Sequence, residues 1–241
     1  MTQLRTGRRR YYDIFSHFYD AFIRIHSRQD EDDTRGFLVD AAHLENKPVP
    51  SILDICCGTG SVILTFKDRY PESVAIGYDF SHGMLRKAQE KNITGRVVFV
   101  EGDAAELPFA DDSFDVVTCS HALYELKGET RQKALREMKR VAHPDGWVLL
   151  MEHEIPRKPL IKLLFYIRML SMGSKDAREF IKGGGEHLEK IFPRVRLSHS
   201  RTGKSKLMSC RKLDRATVSI PQIFNGTSDH KAASSIWPNS T

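Results

Sequence analysis

Cysteine is scarce in this chain: four residues among 241, at Cys56, Cys57, Cys119 and Cys210, with no C-x-x-C spacing. Adjacent Cys56 and Cys57 are badly placed to ligate one metal. No metal site is expected, and two of the four fall in expected strands or strand ends, where cysteine reads as a small apolar filler. Long hydrophobic runs are also missing. The longest, from Leu160 to Met172, is broken by Lys162 and Arg168 and is too short to span a bilayer. The first apolar stretch is short and studded with charge, which does not fit a secretory signal. A cytoplasmic, reduced protein is the expectation, and the sequons at Asn225 and Asn239 then carry little weight. No internal repeat is visible. Charge of one sign is only mildly in excess: 37 Lys and Arg against 31 Asp and Glu leave a net +6 and a pI near 9.1. The run Arg8-Arg9-Arg10 supplies part of that surplus. It reads as a solvated basic tail before it reads as a site for phosphates or anionic lipid.

What is present is alternation. Strand-like runs fall at 51–55, 74–79, 97–100, 114–119 and 147–152, separated by helical stretches at 61–69, 82–91 and 130–142. Ser81 and Thr130 are the expected N-caps of the second and third of these helices. His143-Pro144-Asp145-Gly146 reads as a helix stop and turn. Such a rhythm predicts a mainly parallel sheet with helices on both faces. Upstream, Tyr11, Ile14, Phe15, Phe18, Tyr19, Phe22 and Ile23 recur at helical spacing, so residues 1–45 are expected to form a helical lid. For most of that stripe ordinary helix–core packing is the simpler role. Residues 46–213 form the main domain. The rhythm breaks over 155–192, an insertion containing an apolar helix at 160–172 and interrupted helix at 176–192 with the triple glycine 183–185. Strands at 194–199 and 205–211 make a terminal hairpin, and 214–241, rich in Ser, Asn, Thr and Pro, is expected to be a mobile tail.

The most informative segment is Ile52-Leu53-Asp54-Ile55-Cys56-Cys57-Gly58-Thr59-Gly60. An apolar strand ends in an acid, two glycines follow one residue apart, and a helix begins. Missing β-carbons let the backbone turn tightly and approach a ligand. Dinucleotide sites place a third glycine three residues further on, where this chain has Ile63. A ligand with an amino-acid end and a ribose, S-adenosylmethionine first, suits the pattern better than a pyrophosphate. In an open parallel sheet ligands bind beyond the carboxyl ends of the strands. Asp79, about twenty residues past the turn, stands where a ribose-binding acid belongs. Asp103, with the Ala104 N–H after it, ends the third strand and is placed to read an adenine edge. Taken singly, Asp54 could be a buried turn-former, Asp79 a helix partner and Asp103 an Asx turn. Their succession at three strand ends is what favours a site.

With these residues in view, the chain resembles the class I S-adenosylmethionine-dependent methyltransferases over roughly residues 10–213. The resemblance lies in LDICCGTG at 53–60, GYDFSHGML at 77–85, GDAAELPFADDSFDVVTCSHAL at 102–123 and REMKRVAHPDGWVLLMEHEIPRKP at 136–159. Within that superfamily it is similar to the ubiquinone/menaquinone biosynthesis C-methyltransferase group, which shares the Tyr-Asp element found here at Tyr19-Asp20. The resemblance implies a Rossmann-like, seven-stranded, mostly parallel sheet whose last strand is antiparallel. It also implies that Asp54, Gly58 and Gly60 hold the methionine moiety, and Cys56 and Thr59 in the same turn and Ser120 at the end of strand four are expected among the cofactor-binding residues. Asp79 would bind ribose, Phe80 and Met84 would flank adenine, and Asp103 with Ala104 would meet its amino edge. One departure is on the acceptor side. Quinone methylases carry a Phe-Gly-Leu/Ile-Arg-Asn-like segment after strand four, where this chain reads Ser120-His121-Ala122-Leu123-Tyr124-Glu125.

Methyl transfer from a sulfonium needs two aligned reactants and little else from the protein, which is why no built nucleophile is required. A base helps when the acceptor is a hydroxyl or an acidic carbon. His121 and Tyr124 are the expected catalytic residues, with Glu125 and then His153 with Glu152 or Glu154 behind them. A structural, hydrogen-bonded histidine is the competing role for His121. A small-molecule acceptor is expected. A nucleic-acid acceptor is disfavoured because no Asn/Asp-Pro-Pro-Tyr-like segment follows strand four and Cys119 lacks a preceding proline. A non-catalytic cofactor-binding scaffold, a quinone-ring methylase at a membrane surface and a nicotinamide-linked oxidoreductase are the alternatives. Peripheral membrane contact could come from the basic amphipathic helix at 160–172, although packing on the sheet is simpler. No oligomeric state is implied.

Overall fold

The computed structural model describes residues 30–155 and 186–212, together with Asp13, Pro159 and Leu163. Helix α1 (Asp30–Asp40) leads into β1 (Ser51–Ile55), α2 (Ser61–Arg69), β2 (Val74–Asp79), α3 (His82–Lys91) and β3 (Val97–Glu101). Then come β4 (Phe114–Ser120), a 3-10 turn at Leu123–Glu125, α4 (Gly128–Val141), β5 (Ala142–His153), the single turn α5 (Glu186–Glu189), β6 (Arg194–His199) and β7 (Ser205–Arg211). The seven strands form one sheet in the order β3-β2-β1-β4-β5-β7-β6. Pairs from β3 through to β5 are parallel, whereas β7 runs antiparallel to both β5 and β6. The chain winds outward from β1 to β3, then returns to β1's other side with β4. That reversal opens a crevice over the carboxyl ends of β1 and β4, where ligands of open α/β sheets bind.

Central strands read as near-continuous apolar runs because both of their faces are covered. Period-two alternation sends Leu53, Ile55, Val117, Cys119, Val148, Leu150, Met208 and Cys210 to one face, where Leu135 and Met138 of α4 close over them. Ile52, Val116, Leu149, Met151 and Leu207 face the other way, against Leu38 of α1 and Ile63 and Phe66 of α2. Burying each such aliphatic or aromatic side chain stabilises the fold by about 1.5–3 kcal/mol. The result is a rigid sheet from which the strand ends project.

The fold class expected from the sequence is the one observed, down to the antiparallel last strand. Ser81 caps α3 as expected, its Oγ accepting from the Met84 N–H at 3.3 Å. Thr130 does not cap α4. The helix starts two residues earlier, after Lys127 in extended backbone and with no side-chain cap, so Thr130 lies within its first turn. The 143–146 turn falls within the span of β5 and forms a bulge. Phe114 pairs with Ala142 and Val116 with Trp147, leaving four residues opposite Asp115 alone. The 160–172 helix, the triple glycine, the N-terminal aromatic stripe, Tyr19-Asp20 and the 214–241 tail lie outside the described residues. Of the interrupted helix expected at 176–192, the described part is helical over Glu186–Glu189. Among the described residues no helix is long and apolar enough to cross a membrane.

Candidate cofactor and acceptor site

Asp54 sits one residue from the end of β1, in the middle of the sheet, and is 1% exposed. One carboxyl oxygen, Oδ1, has no hydrogen-bond partner, while the Ile63 N–H supports the group from the start of α2. Burial first, and the like charge of Asp79 second, hold this carboxyl well above the usual carboxylate range. Ile63, occupying the position of a third glycine, is fully buried core. Its side chain packs in the core between α2 and the sheet, where the dinucleotide pattern uses glycine for close helix–strand packing.

The turn after β1 is built from left-handed backbone: Cys56 has φ 55°, Gly58 54° and Gly60 76°. A β-carbon on Gly60 would lie 2.9 Å from the Phe99 ring and 3.0 Å from Ala88, so this glycine is required by packing as well as by φ. At Gly58 the missing side chain faces open space, and only the backbone angle demands glycine. Gly60 is also the N-cap residue of α2 and brings no side-chain cap, so the positive end of the helix lies at the glycine turn. Thr59 is buried and takes a hydrogen bond from Lys91 Nζ at 2.8 Å, so its hydroxyl is turned into the protein.

Asp79 ends β2 and anchors the next layer. Its Oδ2 accepts from the Gly58 N–H and its Oδ1 from the Ser81 N–H, each at 2.9 Å. Burial pushes the carboxyl up to about 6, against the downward pull of the Ser81, Gly58 and Phe80 amides. One carboxylate therefore locks the glycine turn to the N-terminus of α3. Asp13, which the sequence reading did not single out, joins the same chain of bonds. It accepts from Ser81 Oγ at 2.7 Å and from the Gly83 N–H at 2.9 Å. Met84 is buried and Phe80 half-buried on the same rim. Asp103 closes an Asx turn, its Oδ1 accepting from the Ala105 N–H at 3.0 Å, beside buried Ala104. The Tyr78 hydroxyl covers Gly102 and reaches the Asp103 carbonyl at 3.5 Å.

Across the crevice, β4 ends in Ser120 and His121. His121 takes φ 53°, an uncommon value for a residue with a β-carbon, and its N–H donates to the Met151 carbonyl at 2.7 Å. Its Nδ1 lies 3.0 Å from Ser120 Oγ and its Nε2 3.2 Å from Ser205 Oγ. The His153 ring stands 4.3 Å from the His121 ring and 5.8 Å from that of Tyr124. Register explains the gathering: Ser120 pairs with Met151, and His153 pairs with Ser205. The Cys119 thiol, hydrogen-bonded with Cys56 and buried, is held well above the ordinary thiol range. Cys56 is thus tied to the end of β4, next to Ser120.

One neighbour of this group stands out. Glu152 is 0% exposed and neither carboxylate oxygen has a hydrogen-bond partner. The Tyr124 and Leu123 amides approach it without closing a bond of ordinary geometry, and burial pushes its carboxyl up to about 8. In the sequence it was only a residue near His153, since nothing local tells a buried acid from an exposed one at a strand end.

A family profile described as a methyltransferase domain matches residues 52–146, from β1 to the bulge of β5. The ubiquinone/menaquinone biosynthesis C-methyltransferase of Geotalea daltonii is 33% identical over 166 residues, covering 67% of this chain and 69% of that protein. A demethylmenaquinone methyltransferase of Staphylococcus aureus is 41% identical over 115 residues, 47% of each chain, so this chain spans about half the length of that relative. Among solved structures, a SAM dependent methyltransferase from Aquifex aeolicus superposes with a TM-score of 0.56 at 15% identity, covering 80% of this chain and 98% of that one. At that identity the likeness shows the fold. Fold, glycine turn and kinship agree: the chain belongs to the class I S-adenosylmethionine-dependent methyltransferases, close to the ubiquinone/menaquinone C-methyltransferase group.

Proposed function

We propose that the protein transfers a methyl group from S-adenosylmethionine to a small-molecule acceptor lying over the carboxyl ends of β4 and β5. The observation that carries this reading is the buried, orphaned Asp54 oxygen beside the uncapped N-terminus of α2. An amino-acid end offers an ammonium for the first and a carboxylate for the second. Asp79 would take the ribose hydroxyls, Phe80 and Met84 would flank the adenine, and the Asp103–Ala104 backbone would meet its edge. When bound, the cofactor supplies an electrophilic methyl on a positively charged sulfur. The chain's own task is then to align the acceptor and to receive a proton where the acceptor carries one. His121 is the proposed base: Ser120 and Ser205 orient its two ring nitrogens, and His153 and Tyr124 limit its movement.

A quinone-type ring carbon is a second acceptor reading, supported by the names of the curated relatives. It is weakened by the Ser120–Glu125 segment, which differs from the resemblance family's pattern. Calorimetry with S-adenosylmethionine tests the first half of the proposal. Binding to the native protein should be lost in Asp79→Ala, and native affinity in that variant refutes the assignment. Methyl incorporation from labelled cofactor into extracted small molecules tests the second half. His121→Ala should lower turnover while leaving cofactor affinity in place.

A further inference from the structure

We infer that Asp13 is a positioning residue of the cofactor site: by holding the N-terminus of α3 it fixes the ribose and adenine side, so that its docking and cofactor binding strengthen each other. This rests on the reading of Asp79 and Met84 as the adenosine end of the site. Asp13 is half-buried and stands 68 and 70 positions before the two residues it meets. Its Oδ1 accepts from Ser81 Oγ at 2.7 Å and from the Gly83 N–H at 2.9 Å. Ser81 is the centre of the arrangement. Its N–H donates to Asp79 Oδ1 at 2.9 Å, and its Oγ accepts from the Met84 N–H at 3.3 Å. A serine hydroxyl has one hydrogen to give. With that hydrogen directed at Asp13, the lone pairs of Ser81 Oγ are turned to the Met84 amide, the orientation that caps the helix.

The contrast with the other helices gives this contact its meaning. Neither α2 nor α4 has a side-chain cap, whereas at the start of α3 the Ser81, Gly83 and Met84 amides each meet a side-chain oxygen. Ser81 alone already serves as a local cap, so a second acid arriving from a distant part of the chain adds a tether. It adds that tether beside Asp79 and Met84. From there α3 is fastened to the glycine turn at both ends. Asp79 joins the Ser81 amide to the Gly58 amide, and Lys91 in the last turn donates from Nζ to Thr59 Oγ1 at 2.8 Å. Between these ends Ala88 lies so close to Gly60 that a β-carbon there would stand 3.0 Å from it. A shift at the start of α3 is therefore passed to the turn that would hold the methionine end. Cofactor bound to Asp79 and Met84 and Asp13 bound to Ser81 and Gly83 order the same helix start. Whichever is in place first lowers the ordering cost of the other, and the coupling is reciprocal.

Titration calorimetry of S-adenosylmethionine into the full chain tests this without any acceptor. Asp13→Ala should bind the cofactor about five- to tenfold more weakly than the native protein. Asp13→Asn keeps an acceptor oxygen and should return to within about twofold of native affinity. Ser51→Ala is the control for general destabilisation. It removes the two bonds that Ser51 Oγ makes with Asp115 at the amino end of β1, away from the site, and should bind the cofactor as the native protein does. Amide hydrogen exchange supplies a measurement that needs no variant to fold. In the native protein, saturating S-adenosylmethionine should slow exchange of the Gly83 amide, whose acceptor is Asp13, by about fivefold. Native affinity in Asp13→Ala, an equal loss in Ser51→Ala, or a Gly83 amide indifferent to the cofactor overturns the inference and leaves the cofactor reading standing. A native protein that binds no S-adenosylmethionine is a separate failure, which removes the adenosine reading and the coupling with it.

Discussion

Cofactor affinity should depend on pH through Asp79, with a size that follows from the site. Its carboxyl is raised from 3.8 to about 6 by burial. That difference corresponds to roughly 3 kcal/mol favouring the neutral acid over its ordinary balance. A ribose diol donating to the group favours the ionised form, so binding and proton loss are coupled. Asp79 is about one-tenth ionised at pH 5 and about nine-tenths at pH 7, and the dissociation constant should therefore be about tenfold weaker at pH 5. Between pH 5 and 6 binding should release most of a proton. Titration calorimetry in two buffers of different ionisation enthalpy reads both quantities together. An Asp54→Asn background separates Asp79 from Asp54, whose carboxyl burial also raises above the usual carboxylate range. The free protein should show the matching stability effect. A raised carboxyl contributes stability that is complete below 3.8 and is lost as pH rises through about 6. An affinity flat from pH 5 to 7, with no proton released, would refute the coupling and the ribose assignment with it.

Other consequences are open to measurement. Glu152 is raised from 4.5 to about 8, so its stabilising share is complete below 4.5 and lost through about pH 8, at most roughly 5 kcal/mol. Urea unfolding of Glu152→Gln should thus gain on the native protein between pH 5 and pH 9, and a constant difference across that range contradicts the burial argument. Gly60→Ala combines positive φ with overlap on Phe99 and should lower stability by about 1–3 kcal/mol, visible in thermal unfolding, and weaken cofactor binding. Asp13→Ala removes two bonds at the start of α3 and should cost about 1 kcal/mol, with faster exchange confined to the first turn of that helix. Asp13→Asn, which keeps an acceptor oxygen, should restore most of it.

Local chemistry alone decided much of this protein. The strand–turn–helix around Gly58 and Gly60 was legible because an apolar run, an acid and two glycines specify neighbouring backbone. Ser81 was legible as a cap because its partner, Met84, is three residues away. Asp103 could be placed at a strand end, yet an Asx turn and a ligand contact ask for the same carboxylate, so the sequence could not choose between them. Thr130 looked like a cap because its residue type suits one, but where α4 begins depends on how the chain leaves the preceding turn. What remained hidden depended on distant partners. His121 meets Ser205 across 84 positions and Ser81 meets Asp13 across 68, contacts that exist only once strands and helices dock. Glu152 is the clearest case. Its residue type and strand position announce an acid at a sheet's end, whereas its burial, its missing partners and its raised proton affinity arise because α4, β4 and β7 close around it and exclude water.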